Sequence, residues 1–162
     1  MQSPRPRRRT VARLAAIGFV CGAALVFAAS ASAASLTSVT VSPLTIVKGK
    51  LFKITLKGTS DLSPPQRIVA WTQTRTPLCA SNANAEFRRL NGKSPVIFRN
   101  LVPGASFNIQ KSITSSALGK RRVCVYLYNT GFASFPLARG TAKYTVVLPL
   151  CRRGQTRGCR RR

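Results

Sequence analysis

The stretch KLFKITLKG, residues 50–58, decides the fold. Phe52, Ile54 and Leu56 alternate with Lys53, Thr55 and Lys57. A side-chain period of two sends the first set to a buried face and the second to solvent, the pattern of a half-buried β-strand.

The same period recurs on both sides of it. Upstream, LTSVTVSP (36–43) puts Val39 and Val41 on one face, and Pro43 ends the run or marks an edge. Downstream, TSDLSPPQ (59–66) is a loop, because Pro64 and Pro65 have no N–H to give a ladder. RIVAWTQT (67–74) is the next strand, with Val69 and Trp71 sharing a face. TRTPLCASNANAE (74–86) is turn chemistry, rich in Asn, Ser and Pro. PVIFRNL (95–101) and SFNIQKSIT (106–114) follow as strands around a VPG turn, with Phe107 and Ile109 inward. RRVCVYLYN (121–129) sets Val123, Val125 and Leu127 against Cys124, Tyr126 and Tyr128. TAKYTVVLPL (141–150) aligns Ala142, Tyr144, Val146 and Leu148. None of these runs has a helical period. About seven short strands separated by turns predict an all-β fold, a single antiparallel two-sheet sandwich with Trp71 and Phe52 leading the core.

Composition narrows the chemistry. The 162 residues carry 27 Lys+Arg against two acids, Asp61 and Glu86, and no histidine, a net charge of +25. Without imidazole there is no Ser-His-Asp or Cys-His nucleophile. Two carboxylates placed in different loops are a poor basis for a glycosidase pair, and metal sites need more carboxylates, imidazoles or closely spaced thiolates than the chain offers. The expectation is a protein with no catalytic residues, no metal and no cofactor.

The first 33 residues read as an address. MQSPRPRRRTVAR holds five arginines, LAAIGFVCGAALVFAAS is apolar, and ASASAAS alternates small residues. A basic segment, an apolar run and an A-x-A site make a secretory signal peptide cut near Ala33; the alternative is an uncleaved membrane anchor, since the apolar run is just long enough to span a bilayer. Cys21 lies in the discarded part, since Val20 stands where a lipobox needs a small residue. Losing the five leader arginines leaves 22 basic residues and both acids, a net charge of +20. The organisation expected is a signal peptide over 1–33, a sandwich over 34–149 and an Arg-rich tail over 150–162, in a secreted, extracellular protein without a transmembrane segment in its mature chain.

Export places the chain in an oxidising compartment. Its four remaining cysteines, Cys79, Cys124, Cys151 and Cys159, allow three pairings. Cys79–Cys124 with Cys151–Cys159 is preferred, because the second bond closes a short loop at low entropic cost.

SVTVSP, KLFKITLKG, Trp71, VPG and the order RRVCVYLYN…AKYTVV together resemble bacterial extracellular immunoglobulin-like sandwiches. They also resemble small secreted actinobacterial proteins in which a V-C-x-Y-L segment precedes the final strand. The resemblance covers roughly residues 36–148 and implies a fold and a cell-surface or secreted setting, with no activity attached. Two departures stand out. Cys79 follows Trp71 instead of preceding it, and Arg122 stands two residues before Cys124 where antibody domains have the tyrosine of a tyrosine corner. A Cys79–Cys124 bond is therefore expected to be a peripheral staple.

The basic residues are the remaining candidates for function. In the tail, Arg152, Arg153 and Arg157 would sit on a disulfide ring, with Arg160, Arg161 and Arg162 trailing from it. Guanidinium forks suit phosphate and carboxylate, so these six arginines are the candidate polyanion grip; the alternative is a solvated tail. Lys48, Lys50, Lys53 and Lys57 lie along one early strand; Lys53 and Lys57 share an outward face and are read as a guard against edge pairing more than as a binding stripe. Arg88 and Arg89, then Lys120, Arg121 and Arg122, form smaller clusters read as lying in or near turns. Tyr126 and Tyr128 share a face and are read as packing more than as a stacking platform. The partners expected are an anionic cell-wall polymer, an anionic lipid surface or an acidic polysaccharide, with no specific nucleic-acid binding. The function expected is a secreted, non-enzymatic binding or structural module of the cell envelope or extracellular space. The alternative is a cationic effector that adsorbs to anionic surfaces through charge itself.

Overall fold

The computed structural model describes residues 33–151 and 157–160. The signal-peptide expectation, including Cys21, lies outside the described residues, apart from its last position. Eight strands and one short helix make up the described chain. They are β1 (Ser35–Ser42), β2 (Thr45–Val47), β3 (Leu51–Thr59), β4 (Gln66–Thr74), α1 (Ala83–Arg89), β5 (Ile97–Asn100), β6 (Ser106–Thr114), β7 (Gly119–Asn129) and β8 (Pro136–Val147).

The strands form two sheets, ordered β1-β3-β6 and β2-β8-β7-β4-β5. The fold is all-β, a sandwich of two sheets. The N-terminal strand is split between the layers: β1 pairs antiparallel with β3, and after Pro43 the chain crosses to lay β2 parallel to β8. That parallel pair corrects the expectation of a wholly antiparallel sandwich, and β2 was not among the expected strands. The last strand is longer at its start than the alternation in 141–150 indicated, and it stops before Leu148.

Between the sheets lies an aliphatic core. KLFKITLKG supplies Phe52, Ile54 and Leu56 to it as its period requires, and these meet Ile68, Ala70, Val123, Val125, Leu127, Tyr144 and Val146. Each fully buried leucine, isoleucine or valine contributes about 1.5–3 kcal/mol over its exposed state. The sheets approach closely where β1 crosses β8. A Cβ on Gly140 would lie 2.5 Å from a Val39 methyl and 2.6 Å from a Leu36 methyl, so any larger residue would have to push both side chains aside. On the free edge strand β6, Lys111 takes an inward register position opposite Ile54 yet stays exposed. An inward charge of this kind blocks edge-to-edge pairing.

Trp71 is not in this core. It belongs to a second cluster with Val69, Ala83, Cys124, Tyr126 and Tyr128, on the outer face of the five-stranded sheet. Residues 75–96, with α1 in their middle, cover that face. The reason is parity. Ile68 and Ala70 take the inner face of β4, which leaves Val69 and Trp71 on the outer one, and a shift of one residue exchanges the two. The covering segment also corrects the reading of residues 74–86 as turn alone. Asn82 caps α1, its side-chain oxygen accepting from the Ala85 N–H at 2.8 Å. Glu86, Arg88 and Arg89 are therefore helical, and Arg121 and Arg122 lie within β7.

Candidate functional site

The outer face of the five-stranded sheet can be read from its register. Gln73, Trp71, Val69 and Arg67 of β4 stand opposite Arg122, Cys124, Tyr126 and Tyr128 of β7. On the other side, Lys143, Thr141 and Arg139 of β8 stand opposite Arg122, Cys124 and Tyr126.

The attachments of the covering segment to this face include three through the buried side chains of Cys124, Trp71 and Glu86. Cys79 is disulfide-bonded to Cys124 across a Cα–Cα distance of 5.6 Å and 45 residues of chain. Cys124 is fully buried on a central strand, so the bond joins the cover to the sheet's outer face and leaves the inter-sheet core untouched. The indole N–H of Trp71 donates to the Lys93 carbonyl at 2.8 Å. The third attachment is Glu86, which is fully buried. Its carboxylate accepts from the Ala80 N–H at 2.7 Å, from the Tyr126 hydroxyl at 2.7 Å and from the Arg89 guanidinium at 2.6 and 2.8 Å. Arg89 also donates to Gln73 Oε1 at 2.7 Å and to the Leu78 carbonyl. A buried charge is tolerated only when paired and hydrogen-bonded in this way. Burial, reinforced by the Glu86 carboxylate, holds the Tyr126 phenol well above its ordinary pKa. Burial also raises that of Tyr128, with Arg67 opposing.

The other acid is engaged as well. Asp61 Oδ2 accepts from Gln66 Nε2 at 2.9 Å, and the Asp61 N–H donates to Gln66 Oε1 at 3.0 Å, closing the loop before β4. Both carboxylates thus serve structure. Among the described residues the Glu86–Arg89 contact is the one salt bridge.

A groove of about 490 Å³ runs between the edge of the cover and β8. Leu78, Ala80, Arg122, Tyr126, Arg139 and Thr141 line it. A second hollow of about 380 Å³ shares Leu78 and Arg122 with the first and adds Arg75, Thr76 and Lys120. No acidic side chain lines either. Arg122 is 5% exposed. Its Nε is buried without a hydrogen-bond partner, and no described residue pairs with its guanidinium. Leaving such a group unsatisfied costs about 1–3 kcal/mol or more. Its neighbours in register explain the want of a partner. Gln73 spends its oxygen on Arg89 and its amide on Cys124 Sγ, at 3.0 Å, and Lys143 carries the same charge. The Nε of Arg89 and Arg121 are also unpartnered, but Arg89 bonds through its other nitrogens, and Arg121 falls on the opposite side of β7.

A smaller cleft of about 160 Å³ opens between α1 and the sheet, with Trp71, Phe87, Phe98 and Tyr128 in its walls. Phe98 is exposed, and Arg67 stacks over its ring at 4.5 Å.

The tail is described in part. Cys151 is bonded to Cys159. The Arg160 N–H donates to the Pro149 carbonyl at 2.8 Å, and the Cys151 N–H to the Arg160 carbonyl at 3.0 Å, so the ring closes against the end of the body. Arg157 and Arg160 are exposed, while Arg152, Arg153, Arg161 and Arg162 lie outside the described residues. Sequence reasoning missed the Arg122 groove. It saw Lys120, Arg121 and Arg122 as one cluster, whereas strand parity separates Arg121 from the other two. Among the described residues no group of His, Cys, Asp or Glu is arranged to hold a metal, and no helix is long and apolar enough to cross a membrane.

No protein-family model matches the chain, and no curated protein matches it. Solved structures similar to it include the CARDB domain of the PF1109 protein from Pyrococcus furiosus. Its crystal structure, in complex with di-metal ions, is 14% identical, with 70% of this chain and 89% of that one covered and a TM-score of 0.44. For the solution structure of the same domain the identity is 14%, the coverage 72% and 97%, and the TM-score 0.45. The alkylpurine DNA glycosylase AlkC of Pseudomonas fluorescens, bound to DNA containing an abasic site analog, is 13% identical over 71% of this chain, with a TM-score of 0.45. This chain spans 30% of that glycosylase. No ligand or activity is carried over from these proteins.

Proposed function

We propose that the chain is an exported, non-enzymatic binding module of the cell envelope or extracellular space, and that its partner is an anionic polymer. The observation that carries this reading is the engagement of both carboxylates. Glu86 is buried under Arg89 and Tyr126, and Asp61 is bonded to Gln66. With 27 basic residues against these two acids the surface meets almost no internal counter-charge, and it attracts polyanions at long range. The same engagement leaves no free carboxylate for acid–base chemistry. The two disulfides and the leader-like first 33 residues support an extracytoplasmic setting. The resemblance to secreted bacterial sandwiches supports it further.

The test is titration of the chain from Ala34 onward with purified anionic wall polymer and with anionic vesicles, at low and physiological salt. Binding that survives physiological salt and saturates at a fixed stoichiometry is the expected result. Binding that vanishes with salt and follows charge alone would make the chain a cationic effector, with the six tail arginines as its grip.

A further inference from the structure

We infer that the groove edged by Arg122 is a binding site for a phosphoryl group. The inference rests on the binding-module reading but names a place and a chemistry that the reading leaves open. Arg122 is nine-tenths buried, lines both hollows, and has neither a hydrogen bond nor an ion pair from any described residue. A buried guanidinium with no internal acceptor is set up to receive an outside one, and its planar fork matches the oxygens of an oxyanion.

The surroundings select the class. Arg75 and Lys120 line the same hollow as Arg122, and Arg139 lines the adjoining groove. Lys120 and Arg122 are two residues apart on β7, so their Cα atoms are about 7 Å apart on one face. Several cations around one hollow over-compensate a single carboxylate but suit a tetrahedral phosphoryl group, or successive phosphodiesters along a chain. Thr141 offers a hydroxyl, and Leu78 and Tyr126 give an apolar wall for the carbon skeleton beside the phosphate.

The site is built and not merely basic. Arg89 is ion-paired with Glu86, Gln73 is spent on Arg89, and the Cys79–Cys124 bond ties Cys79, in the groove's wall, to the sheet. Lys53 and Lys57, on the far sheet, are exposed lysines without such a frame.

Inorganic phosphate, with acetate at matched ionic strength as the control, is added to the chain from Ala34 to Arg162 while backbone amide resonances are followed. Saturating shifts confined to residues 78–80, 120–122 and 139–141 are expected, with acetate weaker by about tenfold or more. Arg122→Gln should weaken phosphate by a similar factor, and Arg122→Lys by less. The pair Lys53→Gln, Lys57→Gln should leave it unchanged. Because Arg122 has no internal partner, Arg122→Gln should not lower the melting temperature, whereas a structural role would lower it. If that variant nevertheless fails to fold, Arg139→Gln and Lys120→Gln carry the same binding test. Shifts spread evenly over the surface, equal affinity for acetate, or unchanged phosphate affinity in the groove variants would each overturn the site.

The source of the phosphate is read with Arg122→Gln against a soluble poly(glycerol phosphate) and against phosphatidylcholine vesicles doped with phosphatidylglycerol. The assay in which binding falls names it, and a fall in neither overturns the site as a polymer or headgroup receptor. Failure of the parent chain to bind either polyanion would sink the module reading while leaving the phosphate result standing.

Discussion

Lys53, Thr55 and Lys57 stand on the outer face of the three-stranded sheet, where no described segment covers them, and the two lysines are exposed. The corresponding face of the five-stranded sheet carries Val69, Trp71, Cys124 and Tyr126, all buried beneath residues 75–96. Both faces are laid out by the same two-residue period. What separates them is whether the outward residues are polar, and therefore already satisfied by water, or apolar, and therefore in need of a cover. The cover then has consequences of its own. It takes a carboxylate out of water, surrounds it with donors, and leaves Arg122 at its rim with none to spare. Basic residues on the bare face are solvated charges, whereas Arg122 at the rim is buried.

The contrast breaks most sharply at Glu86. Glu86→Ala strips Arg89, Tyr126 and the Ala80 N–H of their acceptor together, and is expected to lose about 3–5 kcal/mol in urea unfolding, as for other broken buried pairs. A loss below 1 kcal/mol would mean that the cover is an ornament on the sandwich.

A smaller effect comes through Tyr126. Its folded phenol keeps its proton above the ordinary tyrosine value of about 10, whereas the unfolded phenol ionises there. The stability it contributes is present below that pH and is lost as pH rises past it. The informative comparison is between the parent and Tyr126→Phe. The parent should lose more stability above pH 10 than the phenylalanine variant, and parallel curves would place the hydroxyl in solvent. Smallest of all, Lys53→Gln with Lys57→Gln should move the unfolding free energy by no more than about 0.5 kcal/mol. A larger loss would give the bare face a partner of its own.

Legibility in the sequence followed the same division. KLFKITLKG was readable because one of its faces is wet, so that period and polarity coincide. The run IVAW in β4 and the run VCVYLY in β7 are apolar on both faces, and the alternation there could not say which set met the other sheet. Trp71 was consequently assigned to the inter-sheet core. The continuous apolar run was itself a sign that both faces are covered. Residues 83–89 make barely two helical turns, too few for an amphipathic period to emerge, although Asn82 was a cap in plain view. β2, three residues long after a proline, offered less still. The disulfide partners were preferred from loop length, and the structure joins the same pairs. The groove was beyond reach, because it depends on which neighbours of Arg122 have already spent their acceptors.

The parallel pairing of β2 with β8 has a mechanical consequence. The Lys48 N–H donates to the Val147 carbonyl and the Thr145 N–H to the Leu44 carbonyl, both at 2.8 Å, at either end of that short ladder. Tension on the chain entering β2 and leaving β8 pulls the two strands along their own axes in opposite directions. The bonds between them are then loaded together in shear, where an antiparallel terminal hairpin would open one bond at a time like a zip. Pulled by its two ends, the chain would thus meet the load with that ladder in shear.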